Sequence, residues 1–172
     1  MNFDDAFRIL VNPQHEGGFT DNPKDPGNWT GGRVGVGTCK GTKFGISAKT
    51  YPNEDIAHLT LERAKFLYQR DFWGPAGCDI VPDKVKYELF DTAVNSGVVQ
   101  AIKLLQRAVD ATADGIIGPQ TTLRVTSCDQ QWLLRRFQAK RIQFYTSLPP
   151  EWFAEFGRGV MNRIAANMLE TV

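Results

Sequence analysis

A chain of 172 residues has the length of one ordinary domain and can bury a sizeable core without disulfide staples. Its hydrophobic content of 42%, with 11% aromatic residues, is that of a globular protein, and no run approaches the roughly 18 apolar residues of a membrane span. Twenty Lys and Arg against nineteen Asp and Glu leave a net charge of +1, which excludes the strongly basic surface that a phosphate backbone demands, so nucleic acid is not an expected partner.

The opening MNFDDAFRIL carries acids where a secretory signal would carry positive charge, and no long apolar stretch or small-residue cleavage site follows. From Phe3 toward His15, Phe3, Ala6, Phe7, Leu10 and Val11 recur at helical spacing, which predicts a first helix ending between Pro13 and Gly18. The texture then changes: GGFTDNPKDPGNWTGGRVGVGTCKGTKFG is dense in Gly, Pro, Asn and Asp and reads as turns with a small irregular hairpin. Helical pattern returns after Gly45, first as a short piece opened by Ser47, then from Thr60 to Phe72, from a first helical position at Pro82 to the break at Gly97, and through Ala101 to Val109. DATADGIIGP is a loop. Pro119 starts a short helix to Leu123, Asp129 caps a longer one, and a last helix turns Trp152, Phe156, Val160 and Ile164 to the core with Lys and Arg outside.

The expected fold class is therefore α+β, mainly α, with one irregular strand region before a helical remainder. The three cysteines, Cys39, Cys78 and Cys128, leave at least one unpaired. No C-x-x-C spacing points to zinc or redox chemistry, and three separate thiols are expected, with a Cys39–Cys78 bridge as the alternative. His15 and His58 stand alone and Asp110 and Asp114 lack the spacing of a calcium loop, so no metal or cofactor is expected.

A long irregular loop in a small domain is commonly functional. Glu16 stands where the first helix stops, with Gly17 and Gly18 leaving room beside it; Asp25 follows on the first arm and Thr42 on the return arm. Glycoside hydrolysis needs a protonated carboxyl at the leaving oxygen and a second group that steadies the oxocarbenium-like transition state or directs water. A half-buried Glu16 near Phe19 or Phe44 and a solvated Asp25 would divide those roles. The same residues also have a plain reading: Glu-Gly-Gly as a helix stop, Asp25 as a turn residue before Pro26, and Thr42 as a strand threonine.

HEGGFTDNPKDPGN, followed by TKFGIS at Thr42 to Ser47, resembles the opening of the glycoside hydrolase family 108 muramidases of phages and prophages. RDFWGPAGCDIVPDKVKYELFDTAVNSGVVQAIKLLQRAV and DGIIGPQTTLRV resemble that family's second half, a predicted peptidoglycan-binding region. The resemblance implies one lysozyme-like domain over residues 1–172, with a catalytic part at 1–75 and a helical part at 76–172. It implies cleavage between N-acetylmuramic acid and N-acetylglucosamine, with Glu16 as catalytic acid; the spacing from Glu16 to Asp25, and Thr42 before Gly45-Ile46, resemble the phage-type lysozymes, which implies Asp25 and Thr42 as helpers. Two departures bear on the hairpin: WTGGRVGVGTCKG lengthens the stretch before Thr42, and Lys43-Phe44 stands where Asn-Trp is frequent. A shifted hairpin would pass the second role to Asp21 or turn Thr30 to the cleft. Asn95 is similar to a family position near substrate, or else is a helix end before Gly97. Phe44, Phe19 and Trp29 are candidates to stack on sugar, whereas Trp73 and Tyr68 read as core.

The expected partner is the peptidoglycan glycan strand, met at the periplasmic wall. The expected route is synthesis in the cytoplasm without a signal peptide, then delivery by a holin, another lysis factor or secretion machinery, with no membrane insertion. Two other activities fit the same residues: a lytic transglycosylase, for which a single Glu suffices, and a module that binds glycan without cutting it.

Overall fold

Seven α-helices and one three-stranded antiparallel sheet are formed by the residues that the computed structural model describes, 1–12 and 18–170. They fall into two compact units, Phe3–Arg70, and Met1–Asn2 with Asp71–Val172. The mainly helical α+β class expected from the periodicity is the one observed. No helix among the described residues is long and apolar enough to cross a membrane.

In the first unit, α1 (Phe3–Leu10) buries Phe3, Ala6, Phe7 and Leu10, the single stripe that their spacing dictates. The Phe7 ring lies 5.7 Å from that of Tyr68, at the end of α2 (Leu61–Tyr68), so these two helices share an aromatic contact. The helix expected to run on toward His15 closes at Leu10, followed by bonds from the Val11 amide to the Phe7 carbonyl and from the Asn12 amide to the Ile9 carbonyl. Asn12 precedes a proline, and that position resists helical dihedrals. The expected stop at residues 13–17 lies outside the described residues.

The sheet is formed by β1 (Phe19–Thr20), β2 (Thr42–Lys43) and β3 (Ile46–Ser47), in that order. Ser47 therefore ends a strand instead of opening a helix. Its carbonyl accepts from the Thr50 and Tyr51 amides in a single turn, which Tyr51, standing before Pro52, is poorly suited to continue. Helix α2 begins as its cap predicts, with the Thr60 hydroxyl accepting from the Arg63 amide at 3.2 Å, and is followed by a π-helical turn, Gln69–Trp73.

The second unit packs α3 (Asp83–Ser96) against α4 (Val98–Ala108) and α6 (Gln130–Thr146), with α7 (Pro150–Glu170) on α6. Pro82 caps α3 and does not occupy its first turn, while Gly97 ends the helix at φ 84°, a conformation that suits glycine. Between α4 and α5 (Pro119–Ser127), which extends beyond the expected end at Leu123, the buried Gln106 holds the DGIIGP loop. Its amide nitrogen donates to the Asp114 carboxylate at 2.7 Å and to the Ile116 carbonyl at 2.9 Å, and its oxygen accepts from the Gly115 amide. Asp129 caps α6 as expected, through the Trp132 amide at 2.8 Å. Ile164 is buried, but Phe156 is 46% exposed and does not reach the core. It joins Trp152 and Tyr145 in a row of rings 5.4 and 5.7 Å apart along α7 and α6.

One basic residue, Arg141, is wholly buried on α6. Its guanidinium bonds Glu88 and, at 2.8 Å, Asp91, both buried one turn apart on α3. Asp91 also accepts from Arg163 at 2.7 Å and Asn167 at 2.9 Å, both on α7. Burial raises the Glu88 carboxyl above its ordinary pKa although Arg141 draws it down. Arg141 holds its proton more tightly than usual because the two acids outweigh its own desolvation. Such a set gives little net stability compared with apolar packing, yet removing one member leaves buried charge uncompensated. Arg141→Met is expected to cost about 3–5 kcal/mol in urea unfolding. A loss under about 1 kcal/mol would show that the acids are neutralised without it.

Candidate active site

The catalytic acid expected from the sequence, Glu16, lies outside the described residues, as does His15. The other expected groups of the first unit lie in and around the small sheet, and their placement follows from how the irregular segment satisfies its backbone.

Asp25 precedes the 3-10 turn Pro26–Asn28, and one of its carboxylate oxygens accepts from the Gly27 amide at 2.8 Å. This is the turn role that Asp-Pro-Gly suggests. The side chain is otherwise exposed. Asn28, at the end of that turn, is fully buried. Its carbonyl accepts from the Lys40 and Gly41 amides at 2.9 and 3.2 Å. Its side-chain nitrogen donates to the Asn22 carbonyl at 3.1 Å, and its side-chain oxygen accepts from the Thr42 hydroxyl at 2.7 Å. Asn28 thus ties the Asp25 turn to the strand that carries Thr42. Its only sequence signal was an Asn in a turn-rich run, which turn chemistry explains equally well.

Thr42 sits in the middle strand, paired with Thr20 and Ser47. With its hydrogen donated to Asn28, the hydroxyl keeps lone pairs that can accept a hydrogen bond from water. The inserted WTGGRVGVGTCKG stretch folds back on itself: Trp29 and Cys39 form a bridge, and the Thr30 amide bonds the Thr38 carbonyl at 3.0 Å. The Thr30 hydroxyl accepts from the Thr38 amide, so this side chain is occupied within the insertion, and the Trp29 indole donates to the Pro23 carbonyl at 2.9 Å.

Phe44 and Gly45 form the two-residue turn between β2 and β3, with φ 52° and 74°. Left-handed dihedrals at both positions suit a tight hairpin, but a bulky residue rarely adopts them. The Tyr68 hydroxyl, donating to the Phe44 carbonyl at 3.0 Å, helps hold the turn, and the Lys43 ammonium stands 5.5 Å from the half-exposed ring. Strain of this kind persists where neighbours over-determine it, and it often marks a functional position. Phe19, paired with Lys43 and 46% exposed, lines a groove of about 320 Å³ together with Asp21, Cys39, Lys40 and Asp55. Asp55 bonds His58 at 3.0 Å, which holds its carboxyl below the ordinary range. Tyr68 and Trp73 are core residues, 2% and 1% exposed.

Asn95 belongs to the second unit. It is exposed near the end of α3 and its amide nitrogen donates to the Asp91 carbonyl at 2.7 Å and carboxylate at 3.2 Å. The three cysteines are free thiols; Cys78 is buried, which pushes its pKa up.

A helix-rich chain with one small antiparallel sheet, beside which Asp25 caps a turn and the buried Asn28 bonds Thr42, has a lysozyme-like α+β fold, and the comparisons agree. The structure is similar to that of Brucella abortus SagA, with a TM-score of 0.80 at 26% identity over 98% of this chain and 92% of that one. No curated protein matches the sequence. The glycosyl hydrolase 108 model matches residues 11–97, and a model described as a predicted peptidoglycan domain matches residues 100–164. The chain belongs to the glycosyl hydrolase 108 family and is a peptidoglycan hydrolase.

The Asn28–Thr42 bond has a direct test. Thr42→Val would leave a buried amide oxygen without its donor and is expected to cost about 1–3 kcal/mol in thermal or urea unfolding, whereas Thr42→Ser keeps the hydroxyl and most of the stability. Equal losses for the two variants would show that the methyl group, not the bond, matters at this position.

Proposed function

We propose that this chain is a lysozyme-type N-acetylmuramidase that cleaves the β-1,4 bond between N-acetylmuramic acid and N-acetylglucosamine. The carrying observation is that Asp25 and Thr42, distant in sequence, are both tied to one buried residue, Asn28, Asp25 through a backbone bond and Thr42 through the side chain. In this reading Glu16 protonates the glycosidic oxygen, and the Asp25 oxygen that does not cap Gly27 steadies positive charge on the sugar or orients water. Thr42 accepts a hydrogen bond from that water, while Phe44 and Phe19 offer ring faces to the glycan; within the helical unit, Asn95 is itself a glycan-contacting residue. The first part of the chain does the chemistry, and the helical part, matched by the predicted peptidoglycan domain, holds the strand.

Delivery to the wall is assigned to a holin or secretion machinery, with synthesis in the cytoplasm and action in the periplasm, as for a phage or prophage endolysin. Periplasmic activity in cells lacking both would overturn that route.

The test of the chemistry is digestion of purified peptidoglycan with mass analysis of the fragments. The wild type is expected to release reducing N-acetylmuramic ends, and Glu16→Gln to slow this by about 10²–10⁴-fold. Asp25→Asn keeps an oxygen that can cap Gly27 but loses the charge, so it is expected to melt like the wild type and yet cleave more slowly. Anhydromuramic ends, with Asp25→Asn as fast as wild type, would instead identify a lytic transglycosylase. Binding without cleavage by any form would identify a glycan-binding module.

A further inference from the structure

The ionic cluster of the second unit does more than join helices. Asp91 is fully buried and both its oxygens are taken: Oδ2 accepts from Arg141 and Asn167, at 2.8 and 2.9 Å, and Oδ1 from Arg163 and Asn95, at 2.7 and 3.2 Å. Asn95 also donates to the Asp91 carbonyl at 2.7 Å. A carboxylate and a carbonyl can only accept, so they fix which end of the Asn95 amide points inward. The nitrogen is held and the oxygen is presented at the exposed end of α3, without a partner among the described residues.

An exposed asparagine normally turns its amide to serve a donor or an acceptor alike. A locked one serves only donors. A sugar hydroxyl, being both donor and acceptor, gains little from such locking, whereas an amide N–H gains fully. The glycosyl hydrolase model ends at residue 97 and so takes in Asp91 and Asn95, although they pack with the helical unit. We infer that Asp91, held by Arg141 and Arg163, is a positioning residue that orients Asn95 to accept a hydrogen bond from the acetamido N–H of a glycan sugar. This rests on the reading of the protein as glycan-cleaving and goes beyond it, naming the group recognised and the residue that orients its acceptor. Pre-orientation removes the ordering cost that binding would otherwise meet.

The experiment measures the Kd of a tetrasaccharide of alternating N-acetylglucosamine and N-acetylmuramic acid by calorimetry, in the Glu16→Gln background so that nothing is cleaved. Asn95→Ala is expected to weaken binding about three- to tenfold, the worth of one hydrogen bond. Asp91→Asn should weaken it similarly, and Arg163→Gln, at a more exposed member of the cluster, tests the same link if Asp91→Asn does not fold. In combination with Asn95→Ala, either change should add little further loss, because both act through the same amide. Unchanged affinity in Asn95→Ala, or no binding of the tetrasaccharide at all, overturns the inference. Losses that simply add overturn it too, leaving the cluster a stabilising role only. Peptidoglycan digestion by the parent chain, measured separately, decides the hydrolase reading itself, so the two failures are distinguishable.

Discussion

A loop-rich segment can be rigid only if something other than a ladder satisfies its backbone, and here that task falls on Asn28. Two-residue strands offer few hydrogen bonds of their own. Asn28 uses its backbone oxygen twice and both ends of its amide, joining the Asn22 loop, the Asp25 turn, the end of the insertion and β2. Its burial is tolerable because these groups are paired, and the pairing is what makes the segment a defined surface. Acidic and hydroxyl groups on such a surface hold fixed positions without being core residues, which catalysis of glycan cleavage requires.

The second unit solves a related problem with charge. Replacing Glu88, Asp91 and Arg141 by apolar residues of similar volume would be expected to stabilise a helical bundle or leave it unchanged. What an apolar core cannot do is hold the polar end of a surface side chain in one orientation. Asp91 does so because it can only accept, and because Arg141, Arg163 and Asn167 leave it a single arrangement. The tight hairpin turn at Phe44 and the locked amide at Asn95 are alike in this respect: each is held by a hydrogen bond with a more buried neighbour, the Phe44 carbonyl by the Tyr68 hydroxyl and the Asn95 amide by the Asp91 carboxylate.

Most of the helices were legible in the sequence because apolar spacing, a Thr cap, an Asp cap and prolines act locally. Thr60, Asp129 and Pro119 each stand where those rules put them. The readings that failed depended on competition beyond the local pattern. Ser47 carries a helix-cap residue type but pairs with Thr42 instead, and Phe156 has core spacing but meets the ring of Trp152 along the surface. The burial of Arg141 could not be read locally, since nothing in its neighbourhood of sequence discloses two acids some fifty residues earlier. In the site, Asp25 could be read as turn or catalyst, and the structure shows the turn contact, made by one oxygen, with no hydrogen bond to the other among the described residues. Asn28 was invisible as a hub because its partners come from two separate stretches of chain, the turn just before it and residues 40–42 well beyond it.

The boundary of the hydrolase family model adds a constraint on how the parts depend on one another. The model ends at residue 97, whereas the first compact unit ends at Arg70, so α3 counts with the hydrolase by sequence and with the helical unit by packing. Its buried face, including Leu89, Phe90 and Asp91, is covered by α4 and α6, which lie within the span of the predicted peptidoglycan domain, 100–164. Cutting the chain between the two family models would strip α3 of its apolar cover and leave the acids of Glu88 and Asp91 without Arg141. The second domain is therefore more than an appended binding device. It supplies the core in which the last helix of the hydrolase segment folds, and the charges that orient the residue at its end.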